Sequence, residues 1–441
     1  WTAIGLAIGT YLSWLLVSKR LRRYSIAAGN AITIPEFFSN RFREKKKVIM
    51  TLSSLFILVF FAVYTGSCFV TVGKLFNQLF GFDYHTMMLI GAVFVLAYTF
   101  LGGFLAESTT DFVQGILMIF ALVFVLAVGT TAAGGVHAVI DNAKNIPGFF
   151  TFFGIAQPVV NAEGVQQVSS GVAQFKEAGS YGFLTIVSTL AWGLGYFGMP
   201  QVLLRFMGIR STQELTKSRR IAMVWVIISL TAAVLIGLIG RALFPDVLLT
   251  SYASENIFIL ISQTLMHPLL AGLMMAGILA ATMSSADSYL LIASSAFSRN
   301  IYQSIRKEEA TDKQVMTMSR IALLAVAAVG IIIAWDSNSI IFKVVSFAWA
   351  GFGATFGPIM LFSLFWKRTN QAGAIAGMLG GASMVFIWKL LVRPLGGVWD
   401  MYELLPAFIV SCILIVVFSL STTKPSEEIQ REFEAVKAMN D

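Results

Sequence analysis

Residues 192–200 read Trp-Gly-Leu-Gly-Tyr-Phe-Gly-Met-Pro and lie inside an apolar run that extends over 182–204. Glycine costs about 1 kcal/mol and proline about 3 kcal/mol in a helix interior, so this stretch disfavours a regular helix. Backbone that is freed at mid-membrane depth must be buried in protein or line a wet cavity. The segment therefore predicts a broken helix of the kind that transporters use at binding sites. A kink that serves packing alone is the alternative, since glycine and proline are frequent in membrane helices.

The composition of the whole chain also indicates a membrane protein. Of its 441 residues 57% are hydrophobic and only 12% are charged, which is about half the charged fraction of a soluble domain. Soluble enzymes are thereby largely excluded, and we interpret the net charge of +8 as basic cytoplasmic loops rather than a nucleic-acid surface. Cys68 and Cys412 both lie in apolar runs and the histidines lack ligand spacing, so neither a disulfide framework nor a transition-metal site is indicated.

Eleven apolar runs are long enough to span a bilayer. They cover 2–18, 50–73, 86–103, 109–133, 182–204, 221–243, 267–296, 317–335, 340–365, 371–392 and 403–420. We expect a transmembrane domain over 1–420 and a cytoplasmic tail over 421–441 that forms a short solvated helix. The longest external connection, 134–181, is expected to hold short helices. The chain opens at Trp1 within an apolar run, and we expect further N-terminal helices in the full-length protein.

The basic residues predict the orientation of these spans. When alternate connections and the tail are placed in the cytoplasm, all but seven of the 31 Lys and Arg residues lie there, as the positive-inside rule requires. The seven others are Lys74, Lys144, Lys176, Arg241, Lys343, Lys389 and Arg393. The residue Trp1 is then outside the cell and the C-terminus inside, in a plasma or inner membrane.

Two acidic residues, Asp111 and Asp287, lie within predicted spans, where a carboxylate costs about 2.5–3.5 kcal/mol and needs a partner. Asp287 shares one broad helical face with Ser284, Ser285 and Ser288. Oxygen ligands without nitrogen or sulfur suit a hard cation, and the spans contain no basic cluster to neutralise the acids. Both acids belong to the inner half of the membrane, where they are expected to share an ion. Serine hydroxyls that bond to backbone carbonyls and a protonated aspartic acid are the alternatives.

A second cluster of helix-breaking residues lies in the ninth predicted span. It consists of Gly351, Gly353, Gly357 and Pro358. Small residues permit a close helix crossing, and glycine with proline also permits a functional hinge. The sequence leaves both interpretations open.

Five segments together resemble the sodium:solute symporter family, and within it the bacterial sodium/proline symporters. They are Ile-Thr-Ile-Pro-Glu-Phe-Phe at 32–38, Tyr-Thr-Phe-Leu-Gly-Gly-Phe-Leu-Ala at 98–106, Thr-Asp-Phe-Val-Gln at 110–114, Ala-Trp-Gly-Leu-Gly-Tyr-Phe-Gly at 191–198 and Gly-Ile-Leu-Ala-Ala-Thr-Met-Ser-Ser at 277–285. The resemblance implies an all-α, polytopic, LeuT-like fold of two inverted five-helix repeats with flanking helices. It implies thirteen spans, so that two N-terminal helices, including the first broken helix, are absent from this sequence.

The resemblance also implies where sodium binds. The main site would use the carbonyl of Ala281 and the hydroxyls of Ser284 and Ser285, completed by backbone of the absent helix. Relatives with a second sodium site build it from an acid that matches Asp111 and from hydroxyls around Ser284 and Ser288. Asp287 stands where the proline transporters carry serine, so it adds a carboxylate to this second position.

For the solute, the resemblance implies an aromatic pocket at Tyr64, Trp192, Tyr196 and Pro200. The proline transporters carry Gln-Pro-His where residues 199–201 read Met-Pro-Gln, a departure that concerns the choice of solute. Glu255, in the external stretch before the seventh span, matches an acid associated with the outer gate.

These observations predict a secondary active symporter that couples sodium entry to uptake of a small zwitterionic solute, with L-proline as the leading candidate. The alternatives are a sodium symporter for sialic acid, pantothenate or a monocarboxylate, and a membrane sensor that uses the same fold to bind a solute. An enzyme is not expected, because the sequence shows no nucleophile–base arrangement and no phosphate-binding glycine loop. Na⁺, the solute and the lipid bilayer are the expected ligands and surroundings.

Overall fold

Long apolar helices account for most of the chain. The structure is a computed structural model that describes residues 1–101, 104–305 and 310–439. The helices are α1 (Thr2–Leu12), α2 (Ser18–Ala27), α3 (Ile34–Arg41), α4 (Val48–Phe80), α5 (Tyr84–Leu101), α6 (Phe104–Ala132), α7 (Val136–Lys144), α8 (Phe183–Leu190), α9 (Pro200–Gly208), α10 (Thr212–Leu243), α11 (Ile257–Leu265), α12 (Pro268–Ser295), α13 (Gln303–Ile305), α14 (Asp312–Ile333), α15 (Ile341–Phe365), α16 (Gln371–Ile387), α17 (Leu404–Ser421) and α18 (Glu427–Ala438). Short 3₁₀ turns cover Ala191–Phe197, Ser254–Asn256, Arg393–Leu395 and Gly397–Trp399, and π-helical turns cover Ser13–Val17, Ala296–Tyr302 and Trp388–Val392.

The helices agree with the predicted membrane spans. In the described part of the chain, nine helices are long and apolar enough to cross a membrane, and one bent pair is a tenth candidate. The remaining predicted span falls on α5, whose apolar stretch Tyr84–Phe100 is shorter. Its predicted end at 102–103 lies outside the described residues.

The predicted break in the fifth span is present. Helix α8 ends at Leu190, a 3₁₀ turn follows, Met199 has an extended backbone, and Pro200 is the first residue of α9. The two halves meet at an angle of 41°. Glycine is also needed for packing, because a Cβ atom at Gly193 would meet backbone of α1 and one at Gly198 would meet backbone of α15. The same glycines therefore account for both the break in the helix and its close packing against α1 and α15.

The second glycine and proline cluster does not break its helix. Helix α15 runs without interruption across Pro358. A Cβ atom at Gly353 would meet Gly195 of the broken segment and Leu404 of α17. This cluster therefore serves a close helix crossing, which was one of the two interpretations of the sequence.

The external connection differs from the expected short helices. It contains one short helix, α7, and two small antiparallel sheets among turns, which pair β1 (Gly154–Ile155) with β4 (Gly179–Ser180) and β2 (Val168–Ser169) with β3 (Val172–Ala173). The β2–β3 hairpin turns through Ser170 and Gly171, which both have positive φ. Two-residue turns of this kind match the twist of paired strands. The turn at these two residues therefore favours a hairpin over a helix.

The C-terminal tail contains the expected helix, α18, but the expectation that it is solvated is wrong for one face. That face is an apolar stripe at helical spacing and is buried: Ile429, Phe433 and Val436. The Phe433 ring lies 5.5 Å from the guanidinium carbon of the fully buried Arg41. Arg43 donates to Glu432 at 2.9 Å. The stripe and these charges dock α18 on α2 and α3.

Candidate solute and cation sites

Two cavities of similar volume occupy opposite halves of the helix bundle. The first, about 580 Å³, is called the aromatic cavity because Tyr64, Trp192 and Tyr196 line it. The second, about 540 Å³, is called the basic cavity because Arg22, Arg205 and Arg299 line it. Along α4, along the broken segment and along α12, the lining residues of the two cavities come from successive portions of the same element. The two cavities therefore follow one another along the length of the bundle.

A buried aromatic cluster lies where the two cavities approach each other. The rings of Tyr64 and Tyr289 are 4.7 Å apart, those of Phe61 and Tyr289 are 5.1 Å apart, and those of Phe61 and Phe352 are 4.4 Å apart. All four side chains are buried. Aromatic pairs of this geometry contribute about 0.5–1.5 kcal/mol each beyond their buried area, so the cluster stabilises the packing of α4 against α12 and α15.

The aromatic cavity brings together five of the ten predicted solute and sodium residues. Tyr64, Trp192 and Tyr196 share its wall with Ala281 and Ser285 of the predicted main sodium site. Pro200 does not join them, because it lies beyond the break and lines the basic cavity. The structure thus divides the predicted pocket into three residues on one side of the break and one on the other.

The indole of Trp192 is packed among other rings. Its ring lies 4.7 Å from Tyr402 and 5.0 Å from Phe342, at interplanar angles of 14° and 26°. The Trp349 indole donates a hydrogen bond to the Trp192 carbonyl at 2.8 Å and meets Tyr196 edge-on at 4.9 Å. Sequence reasoning missed these three partners. That Phe342 and Trp349 lie on one face of α15 could have been predicted, because residues seven apart on a helix share a face. No local sequence pattern indicated the contact of Tyr402.

The wall of the aromatic cavity carries dipoles rather than charges. None of the described residues that line it is acidic or basic. Its polar side chains include hydroxyl groups of Ser67, Thr71, Thr282 and Ser285. Apolar surface with a few placed polar groups is typical of small-molecule sites, and an uncharged wall suits a solute without net charge.

The predicted main sodium ligands lie on successive turns of α12. The Ser284 hydroxyl donates to the Ala281 carbonyl at 3.2 Å, so the serine back-bonding considered from the sequence does occur here. Ser285 and Tyr289, one helical turn apart, both line the cavity wall. Together these residues offer one carbonyl and two hydroxyl oxygens, a donor set that suits a hard cation. Their role as sodium ligands stays a prediction.

The expectation that no basic side chain neutralises Asp111 is wrong. Arg205 donates from Nη2 to Asp111 Oδ2 at 2.5 Å. Arg205 lies on α9, the helix that follows the break, and its side chain reaches Asp111 of α6. The cation that Asp111 holds in this structure is a guanidinium group.

The other two residues of the predicted second sodium position, Asp287 and Ser288, are neighbours on α12. Ser288 lines the basic cavity together with Arg205. The Asp287 carboxylate is buried and accepts the backbone N–H of Ser288 at 2.7 Å. The structure therefore places Ser288 and the partner of Asp111 on one cavity, and occupation of this position by sodium stays a prediction.

Glu255 connects three elements at the end of the bundle that holds the aromatic cavity. Its carboxylate pairs with Lys74 of α4 at 2.9 Å and accepts the backbone N–H groups of Ile341 and Phe342 at 3.0 Å each. A carboxylate is stabilising at a helix N-terminus, and α15 begins at Ile341. Because Ile341 and Phe342 also line the aromatic cavity, Glu255 fixes part of its wall. A gating role stays a prediction.

The sequence model of the sodium:solute symporter family matches residues 1–381. The chain belongs to the sodium:solute symporter family. Two sodium/proline symporters of Staphylococcus aureus are 40% and 41% identical to it over 443 aligned positions, which cover 99% of this chain and 82% of each relative. A solved structure of a Na⁺-coupled sialic acid symporter, in a substrate-bound outward-open state, superposes with a TM-score of 0.71 at 17% identity and covers 97% of this chain and 84% of its own.

These findings confirm the resemblance and the fold predicted from the sequence. The symporter is a multi-pass membrane transporter with a LeuT-like helical fold, and its coupling ion is sodium. The likeness to the sialic acid symporter concerns the fold alone. The individual site residues remain predictions that the geometry above makes more specific.

Proposed function

We propose that this symporter imports L-proline together with sodium. The uncharged aromatic cavity beside the broken helix is the observation that carries the proposal. Tyr64, Trp192 and Tyr196 provide apolar ring surfaces for a compact pyrrolidine ring. Backbone at the break provides dipoles for an ammonium and a carboxylate group. Relatives at 40% and 41% identity bear the name sodium/proline symporter, which supports the same solute.

The transport cycle is proposed to alternate access between the two cavities. The aromatic cluster of Phe61, Tyr64, Tyr289 and Phe352 separates them, and the same three elements line both. Movement of these elements past one another opens one cavity as the other closes, which is the usual behaviour of this class of fold. Each sodium ion that enters at 100 mV, inside negative, contributes about 2.3 kcal/mol before any concentration gradient.

Within this proposal, Ala281, Ser284 and Ser285 bind the main sodium ion beside the solute. Asp111, Asp287 and Ser288 form the second cation position, and Glu255 acts at the outer gate. The distribution of basic residues supports a cytoplasmic C-terminus in the cell membrane, with the basic cavity towards the cytoplasm. The protein moves its solute unchanged and is not an enzyme.

Uptake by the full-length protein in proteoliposomes tests the proposal. Labelled proline should accumulate when an inward sodium gradient is imposed and should not accumulate when potassium replaces sodium. Unlabelled proline should compete, whereas sialic acid, pantothenate and lactate should not. Accumulation of one of these three acids without any effect of proline would overturn the choice of solute. Proline uptake of equal size in sodium and potassium would overturn the coupling.

A further inference from the structure

The connection between α16 and α17 places one aromatic side chain against the candidate solute site. Tyr402 is buried, and its ring stacks on the Trp192 indole at 4.7 Å with an interplanar angle of 14°. Tyr402 itself is not among the residues that line the aromatic cavity, whereas Trp192 is. The stacked Trp192 indole therefore lies between the Tyr402 ring and the aromatic cavity.

Hydrogen bonds tie Tyr402 to the helices on both sides of Trp192. Its hydroxyl donates to the Ser346 carbonyl of α15 at 2.7 Å, and its backbone N–H donates to the Ser188 hydroxyl of α8 at 2.7 Å. Burial raises the pKa of the Tyr402 hydroxyl well above its usual value, and the neighbouring Glu403 carboxylate raises it further. The hydroxyl therefore keeps its proton and remains a donor to α15.

The next residue fixes the connection to the end of α16. The Glu403 carboxylate is completely buried, and it lies 2.9 Å from Arg393 and 3.4 Å from Lys389. Arg393 also binds Asp400 at 2.8 Å. A buried carboxylate that loses its basic partners is strongly destabilised, so this ion-pair group holds the backbone of Tyr402 in place.

We propose that Tyr402 is a positioning residue for the solute site, which holds the plane of the Trp192 indole against the aromatic cavity and so sets the affinity for solute. This inference rests on the proposed function, because it takes Trp192 as a contact of the solute. The connection before α17, which lies outside both cavities, thereby takes part in recognition of the solute. A ring at this position is required for the stack, whereas the hydroxyl adds a second tie to α15.

The test compares Tyr402→Phe, which keeps the ring, with Tyr402→Leu, which keeps a buried apolar side chain but removes the stack. We expect Tyr402→Leu to raise the proline concentration for half-maximal uptake about fivefold, a loss of affinity rather than of folding. The maximal rate per molecule and the sodium dependence should stay unchanged. Tyr402→Phe should remain within about twofold of wild type. Trp399→Leu, at an exposed position of the same connection, is the matched control and should have no effect.

A double-mutant cycle distinguishes positioning from independent packing. In a Trp192→Leu background, Tyr402→Leu should cause no further loss of affinity, because the side chain through which it acts is already absent. Losses that add, or an unchanged affinity in Tyr402→Leu, would overturn the proposal. If Tyr402→Leu does not reach the membrane, Ser188→Ala replaces it, and an unchanged affinity in that variant counts against the proposal equally.

The same measurements separate this inference from the proposed function. A wild-type protein that transports another solute disproves proline, and the Tyr402 variants are then measured with that solute. A Trp192→Leu variant with unchanged affinity removes Trp192 from the solute site, and the proposed site fails together with the inference. Reduced affinity in Trp192→Leu with none in Tyr402→Leu removes the inference alone.

Discussion

The aromatic cavity and the basic cavity are nearly equal in volume but opposite in character. The described wall of the aromatic cavity has no formal charge, whereas Arg22, Arg205 and Arg299 line the basic cavity. A charged wall keeps water and counter-ions close to it, because desolvating a charge is expensive. An uncharged wall permits a solute to replace water at low cost. The difference supports the proposal that the solute is recognised in the aromatic cavity.

The largest expected effect concerns the cation ligands beside the aromatic cavity. Replacing both Ser284 and Ser285 by alanine should raise the sodium concentration for half-maximal uptake at least tenfold, since each lost ligand costs about 1–3 kcal/mol. Uptake measured over a range of sodium concentrations gives this value. Ser294→Ala is the control, because Ser294 lies on the same helix and its hydroxyl donates to the Leu291 carbonyl at 2.9 Å. Unchanged sodium dependence in the double variant would remove the main sodium site from α12.

The next effect concerns the solute. Tyr196→Ala should raise the proline concentration for half-maximal uptake about tenfold, which is about 1.4 kcal/mol of lost binding. The amount of protein in the membrane should stay near normal. Trp192→Ala is expected to lower both affinity and protein amount, since the stacked indole is buried and such truncations cost about 3–5 kcal/mol. A Tyr196→Ala protein with wild-type affinity would place the solute elsewhere.

A second sodium ion, bound near the basic cavity, would be a further difference between the two cavities. If sodium also binds near Asp287 and Ser288, the charge-to-proline ratio in proteoliposomes should exceed one, and Asp287→Ser should lower it towards one. Simultaneous measurement of current and labelled proline gives the ratio. A ratio of one in both proteins would leave only the site beside the aromatic cavity.

The smallest effect is expected at the Asp111–Arg205 ion pair of the basic cavity. Arg205 is 48% exposed and Asp111 17% exposed, so screening reduces the value of the pair to about 0.5–1 kcal/mol. Asp111→Asn and Arg205→Gln should each lower the unfolding temperature slightly, and the double variant should lower it by less than their sum. Thermal unfolding in detergent without sodium measures this coupling. Strictly additive shifts would mean that the pair adds nothing to stability.

Local signals explain which features could be predicted from the sequence. The spans follow from apolar length, and the break at 191–200 follows from its glycines and proline, because both depend on residues that are adjacent in the chain. The contact between Asp111 and Arg205 joins residues 94 positions apart, and the stack of Tyr402 on Trp192 joins two different helix connections. Such contacts depend on how the helices pack, which no short window of sequence contains.

Long-range packing also separates residues that the resemblance placed together. The resemblance put Pro200 in one pocket with Trp192 and Tyr196, whereas the structure has a 41° bend between them and Pro200 lines the other cavity. The tail helix was expected to be solvated because its charges are conspicuous, whereas its buried face consists of three apolar residues spread over two turns.

Equilibrium binding of labelled proline to the purified full-length protein, measured in sodium and in potassium, tests sodium-coupled proline binding most directly. We expect saturable binding in sodium and at least about tenfold weaker binding in potassium, because the proposed sodium ligands of α12 adjoin the aromatic cavity. We also expect Tyr196→Ala to weaken the binding in sodium about tenfold. Equal binding in the two salts, or wild-type binding by Tyr196→Ala, would contradict a sodium-coupled proline site in the aromatic cavity.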